Sequence, residues 1–256
     1  MTLGTVICDL DGVVFVDGHP IPGAEEALSS LDEDGYQLLF VTNNATTHRA
    51  DLVTKIEKAS GYRPGLEDVF SSAMAGAALI SGEVSTAFVV GEAGLVTTLG
   101  DSGIRVTEAW REAEAVVVGL DRALTYARLK DAVLAVGNGA RFIATNTDST
   151  YPTPEGLWPG GGAIVAAIEK ASGVAPEVAG KPNEPMRAMV RGSVGEGPVW
   201  MVGDRPDTDL AMGKLEEWRT VLVLTGVTAS AGDVPSEFAP DVVLKSIAEL
   251  PAAIRR

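Results

Sequence analysis

The chain has 256 residues, 46% of them hydrophobic, which is enough to close one large core or two modest ones and too many for a disordered protein. With 35 acids against 20 Lys and Arg the formal charge is −15, which excludes a nucleic acid or an anionic membrane as the expected partner; an anionic small ligand would need a metal or a placed lysine. One cysteine leaves no internal disulfide framework, and without an apolar run of membrane length or a basic-then-apolar N-terminus the expected location is cytoplasmic.

The run Val6-Ile7-Cys8 reads as a buried parallel strand, because neither of its faces carries charge. It ends in Asp9 and Asp11, with Gly12 letting the chain turn away. Ligands of open parallel sheets sit beyond the carboxyl ends of the strands, so two carboxylates there lie where chemistry happens. Burying them unpaired costs several kcal/mol, which a cation or hydrogen bonds must offset; solvated turn aspartates are the plainer alternative. Cys8 itself reads as a small core residue.

Ala24, Ala27, Leu28 and Leu31 fall at helical spacing and Gly35 closes that helix. Residues 36–41 form the next strand, ending in Thr42-Asn43-Asn44. Leu52, Val53, Ile56 and Ala59 mark a second helix, with Gly61 beyond its end. Strand and helix alternating in this way predict right-handed βαβ units on a parallel sheet.

From about Ser72 the pattern changes. A short Ala-rich helix over 73–80 leads to Gly82, and strands are expected at 86–91, 115–118 and 141–145. Tyr126, Leu129, Val133 and Leu134 mark an amphipathic helix between the last two, and Ile164, Val165 and Ile168 another. This middle third can close its own core, so residues 78–178 read as a domain inserted into a first domain made of 1–77 and 179–256. The joins near 75–82 and 175–180 are the expected hinges. Near Lys181 the first rhythm resumes, with a helix through Met186, Met189 and Val190 and a strand over 199–204 ending in Asp204. Strands follow at 220–224 and 241–244, and Ser246 with Glu249 is a capping-box signature for the final helix.

Four strand ends are thus expected to hold polar groups that a scaffold does not need: Asp9 and Asp11, Thr42 and Asn43, Lys181, and Asp204 with Asp209. Gathered on one sheet edge, acids, small hydrogen-bonding residues and a lysine make a magnesium-dependent phosphate site. Mg²⁺ prefers oxygen ligands and bridges carboxylates to a phosphoryl oxygen.

In that order, Asp9-Leu10-Asp11-Gly12-Val13, Thr42-Asn43-Asn44, Gly180-Lys181-Pro182 and Gly203-Asp204-Arg205-Pro206-Asp207-Thr208-Asp209 resemble the four motifs of the haloacid dehalogenase superfamily. The insertion is similar to the large α/β cap of its class IIA phosphatases, the nitrophenyl phosphatase and phosphoglycolate phosphatase branch, through 118–122, 144–148 and 159–163. One departure is Ala45, where many relatives have serine. The resemblance implies an α/β fold, a Rossmann-like parallel-sheet core domain with an inserted α/β cap domain, and a Mg²⁺-dependent phosphomonoester hydrolase. Candidate substrates are sugar, glycerol or glycolate phosphates and nucleotide monophosphates. It further implies that Asp9 attacks phosphorus to give an aspartyl-phosphate, and that Asp11 protonates the leaving alkoxide and then deprotonates water. Asp9, the Asp11 backbone carbonyl and Asp204 would hold the metal. Thr42, Asn43, Asn44 and Lys181 would bind the phosphoryl oxygens, and Asp209 would orient Lys181 or metal-bound water. A binding protein without turnover and a dehalogenase are the competing readings.

Within the insertion, Asn146, Asp148, Asp121 and Arg122 follow strands and could face substrate, with an Asx-type turn as the alternative for Asn146 and Asp148. The 159–162 glycine run is expected to serve close packing or a hinge-like turn rather than a phosphate, His48 to be a solvated helix residue, and Trp110, Trp158 and Trp218 to pack. A homodimer paired through inserted strands is an arrangement the sequence allows.

Overall fold

The computed structural model describes residues 2–16, 18–153 and 155–255, and the chain divides into two compact units. The first consists of Met1–Thr42, Ala50–Phe70 and Arg187–Arg256, the second of Asn43–Arg49 and Ser71–Met186.

In the first unit a six-stranded sheet runs in the order Val242–Leu244, Arg219–Val223, Val199–Gly203, Thr5–Cys8, Gln37–Thr42, Val69–Ser71. Thr5–Cys8 is central and parallel to both neighbours, Cys8 lying opposite Phe40 on one side and Val202 on the other. Both of its faces are buried, which explains the uninterrupted apolar run. Val6, Cys8, Phe40 and Val202 share one cluster with Leu28 and Leu31 of the Ala24–Glu33 helix and with Ile56 of the Arg49–Ser60 helix. Each such buried side chain contributes about 1.5–3 kcal/mol relative to exposure. This rigid frame fixes where Asp9 leaves the sheet.

The second unit has its own parallel sheet, in the order Glu177–Val178, Arg141–Ala144, Ala115–Val118, Thr86–Val90, Arg105–Val106. Alternate residues serve two cores. Val89, Val117 and Ile143 pack with Ile80 and Leu95 on one face, while Phe88, Val116 and Phe142 pack with Ala132 and Ile164 on the other. A separate hairpin pairs Thr150–Thr153 with Gly156–Pro159 antiparallel.

The architecture is the expected α/β one, a parallel-sheet core with a second α/β unit. Val69–Ser71, the two-residue strands, the hairpin and the Ala93–Asp101 helix escape sequence patterning. Two or three residues establish no period, and Thr97, Thr98, Gly94 and Gly100 dilute the helical one. The terminal cap is shifted from the reciprocal box: Ser246 Oγ accepts the Ala248 N–H at 3.3 Å, and the Glu249 carboxylate takes the Lys245 N–H at 2.9 Å. No helix among the described residues is long and apolar enough to cross a membrane.

Candidate active site

At the carboxyl edge of the first unit's sheet, the Asp9 N–H still extends the ladder, donating to Val202 O at 2.9 Å. The chain then leaves the sheet, and Asp9 Oδ1 accepts the Leu10 N–H at 2.8 Å. Gly12 follows in the left-handed region, φ +86°, where a Cβ would sit 2.7 Å from the Asp204 carboxyl carbon. Thr225 Oγ1 donates to Gly12 O at 2.6 Å and pins that turn.

Asp204 ends the adjacent Val199–Gly203 strand and accepts the Val227 N–H. A Cβ at Gly226 would fall 2.0 Å from its Oδ2, so both glycines leave room for this carboxylate. Asp209 lies in a π-helical turn, Pro206–Leu210, a distortion often found at functional sites, and its Oδ2 accepts the Arg205 N–H at 3.1 Å. Asp9, Asp204 and Asp209 are all buried, and one carboxylate oxygen of each lies within 4.8 Å of the others. Asp11 has an exposed side chain and is not one of the three.

Three buried carboxylates whose oxygens lie this close could share one cation, which would offset the cost of burying them together. An all-oxygen donor set without His or Cys suits a hard ion such as Mg²⁺, and the glycine-lined space beside Asp204 fits it. Asp9 and Asp204 could hold the ion directly. Thr42, also in this unit, is 2% exposed at the end of its strand.

The second unit carries the lysine. Lys181 is 3% exposed, which removes the ordinary surface-lysine alternative, since a lysine that deep is paired. Its N–H donates to Asn43 Oδ1 at 2.8 Å, and Asn43 Nδ2 donates back to Lys181 O at 3.3 Å and towards the Asp148 carboxylate at 3.4 Å. Gly180 permits this approach, because a Cβ there would lie 2.6 Å from Asn43 Oδ1 and 2.4 Å from Thr145 O. Asn44 Oδ1 accepts both the N–H and the hydroxyl of Thr46, each at 2.8 Å, so that side chain shapes the loop. Ala45, the departure from the family pattern, is buried in the second unit's core.

Of the inserted candidates, Asp148 donates its N–H to Asn146 Oδ1 at 3.1 Å, and Ala123 its N–H to Asp121 Oδ1 at 2.9 Å; both are Asx-type turns. Arg122 is held bidentate by Glu92 at 2.7 Å, and that hydrogen-bonded guanidinium lowers the Glu92 carboxyl below its ordinary range. The glycine run is close packing: a Cβ on Gly160 or Gly162 would come 2.3 Å from the carbonyl of Asp148 or Thr147. His48 Nε2 lies 3.0 Å from Asp101 Oδ2. Trp158 meets the packing expectation only in part. It is 42% exposed on the hairpin, edge-on to Tyr151, and with Leu120 and Leu124 lines an apolar cleft of about 220 Å³. Cys8 is inert in the core, its thiol pushed up to about 12 by burial and by the charge of Asp9. Gly226, Val227 and Ser72 complete these clusters and carry no signal in the sequence, because each matters only through a fold contact.

Residues 6–105 match the family of haloacid dehalogenase-like hydrolases, and residues 178–250 match a second family described as HAD-hydrolase-like. A dihydroxyacetone phosphatase of Corynebacterium glutamicum (strain R) is 37% identical over 249 residues, covering 95% of this chain and 89% of that one. The structure of a p-nitrophenyl phosphatase from Archaeoglobus fulgidus superposes with a TM-score of 0.90 at 33% identity, covering 99% of this chain and 100% of that one. A glycerol phosphate phosphatase from Mycobacterium tuberculosis in complex with magnesium gives a TM-score of 0.86 at 33% identity, covering 96% and 75%. With its motif acids at adjacent strand ends and relatives matched along nearly its whole length, the chain belongs to the haloacid dehalogenase-like hydrolases, in their class IIA phosphatase branch.

Proposed function

We propose that this protein is a magnesium-dependent phosphomonoester hydrolase acting on small phosphorylated metabolites through an aspartyl-phosphate on Asp9. The observation that carries the reading is the convergence of the Asp9, Asp204 and Asp209 carboxylates at the edge where the central strand ends. The relatives named above act on dihydroxyacetone phosphate, glycerol phosphate and nitrophenyl phosphate, which supports small polyol and sugar phosphates as the substrate class.

Asp9 attacks phosphorus in line with the leaving alkoxide, dividing one difficult hydrolysis into two displacements. Asp11, exposed at the turn, gives its proton to the leaving oxygen and then takes one from the attacking water. The Asp9 carboxylate, the Asp11 backbone carbonyl and Asp204 would hold the metal, and Asp209 would orient Lys181 or water on the metal. When bound there, Mg²⁺ would supply positive charge against the carboxylates and the phosphoryl group, so that two anions could approach. Thr42, Asn43 and Lys181 take the phosphoryl oxygens, with Asn44 shaping the loop between them, and the segment 78–178 serves as the cap that selects the alcohol. Dehalogenation needs little of the metal, so three clustered acids disfavour it. A binding protein would be expected to lack an acid or the lysine, and all are present.

The test is release of nitrophenol from p-nitrophenyl phosphate with Mg²⁺, with chelator, and in Asp9→Asn. We expect loss of at least about 1,000-fold in the variant, in the range seen when a covalent nucleophile is removed. Full activity in Asp9→Asn would remove the proposed nucleophile.

A further inference from the structure

Asn146 lies two residues beyond the Arg141–Ala144 strand of the second unit and is 6% exposed. Its two polar atoms are committed inside the protein: Nδ2 donates to the Asn43 carbonyl at 2.8 Å, and Oδ1 accepts the Asp148 N–H at 3.1 Å. The partners fix the amide's orientation, because a carbonyl demands the NH₂ and an N–H demands the oxygen. Ser72 Oγ donates to the same Asn43 carbonyl at 2.6 Å. Asn43 in turn grips both backbone groups of Lys181. A chain of carboxamides thus runs from the inserted strand to the lysine, joining residues more than a hundred positions apart.

We propose that Asn146 is a positioning residue that sets Lys181 through the Asn43 carboxamide, rather than a residue that touches substrate. The inference rests on the phosphatase reading, in which Lys181 meets the phosphoryl group. A buried amide network with every atom paired is stiff, and a lysine held at its backbone brings its ammonium to one place. Charge stabilisation in a dried site depends steeply on that placement.

The experiment is a double-mutant cycle in the full chain, with Asn146→Asp and Lys181→Ala made singly and together. Turnover of p-nitrophenyl phosphate and of glycerol phosphate is measured at saturating Mg²⁺, with thermal melts alongside. Asn146→Asp is nearly isosteric and keeps an oxygen for the Asp148 N–H, but sets a charged acceptor where the donor to Asn43 stood; Asn146→Ser, run beside it, removes the donor without adding charge. We expect kcat to fall about 10- to 100-fold for both esters alike, as for outer groups that orient a site. Inhibition by inorganic phosphate should weaken in parallel. In the Lys181→Ala background the second substitution should cost no more than about 2-fold, because the two act as one unit. Equal losses in both backgrounds, or a changed preference between the esters, would overturn the inference while leaving the phosphatase reading intact. A wild-type rate in Lys181→Ala would overturn the lysine's role and the inference with it, whereas an inactive wild type would reject the phosphatase reading first. Asn146→Ser, too short to reach Asn43, decides the cycle if the aspartate variant melts early.

Discussion

Removing one charge from the acid cluster should make the metal-free protein more stable. Two unit charges 4.8 Å apart repel by about 3.5 kcal/mol at an effective dielectric of about 20. Asp204 faces two neighbours no farther than that, so Asp204→Asn removes about 7 kcal/mol of gross repulsion, which the hydrogen bonds Asp204 accepts already offset in part. Water and salt lower it further, leaving an expected gain of about 2 kcal/mol. The asparagine side chain retains an oxygen for the Val227 N–H, so the loop contact survives. For a chain of this size that gain is a rise in Tm of about 4–8 °C in chelator, read by scanning calorimetry. In Mg²⁺ the order should change. A ligand at about 100 times its Kd stabilises the wild type by about 2.7 kcal/mol, and the variant should gain little. A variant melting at or below the wild type in chelator, or showing the wild-type response to Mg²⁺, would refute the reasoning.

Gly12→Ala should abolish Mg²⁺ binding measured by titration calorimetry, because the added Cβ needs a left-handed backbone and the space of the Asp204 carboxylate; unchanged affinity would count against that cradle. Asp241 offers a pH test remote from the site. The Thr220 N–H at 2.7 Å, and then its hydroxyl at 2.8 Å, hold the Asp241 carboxyl below its ordinary value. A depressed native value means this stabilisation is present above the unfolded pKa and is lost as pH falls through the folded one. Asp241→Ala should therefore cost about 1 kcal/mol at neutral pH, kept small by solvent exposure, with the difference from wild type shrinking below about pH 4 in urea melts. A gap that is constant with pH would contradict it.

How much of this was legible depends on the range of the interaction. Ala115–Val118 and Val199–Gly203 are readable because strands buried on both faces write continuous apolar runs. Asp9 and Asp204 stand out because each breaks such a run with a charge. Asp209 is different: its arrival beside them depends on the π turn over Pro206–Leu210, and local periodicity does not show an extra residue in a turn. The burial of Lys181 and the turning of the Asn43 carboxamide onto it are set by a contact across 138 positions, which no local window contains. Likewise, Gly226 looks like any turn glycine until the Asp204 carboxylate is placed against it. Trp158 packs only in part: it meets Tyr151 edge-on across the hairpin yet is 42% exposed, which its size alone does not tell.

The central claim is that Asp9 becomes covalently phosphorylated, and Asp11→Asn tests it most directly. Nitrophenolate leaves without needing a proton, so this variant should still be attacked by Asp9 but should lack the base that activates water for the second step. Rapid-quench reaction of the variant with p-nitrophenyl phosphate and Mg²⁺ should give one equivalent of nitrophenolate per chain, then near arrest, with a phosphoryl group on the peptide containing Asp9. Turnover in the variant without a burst, or an adduct on any other residue, would contradict the account.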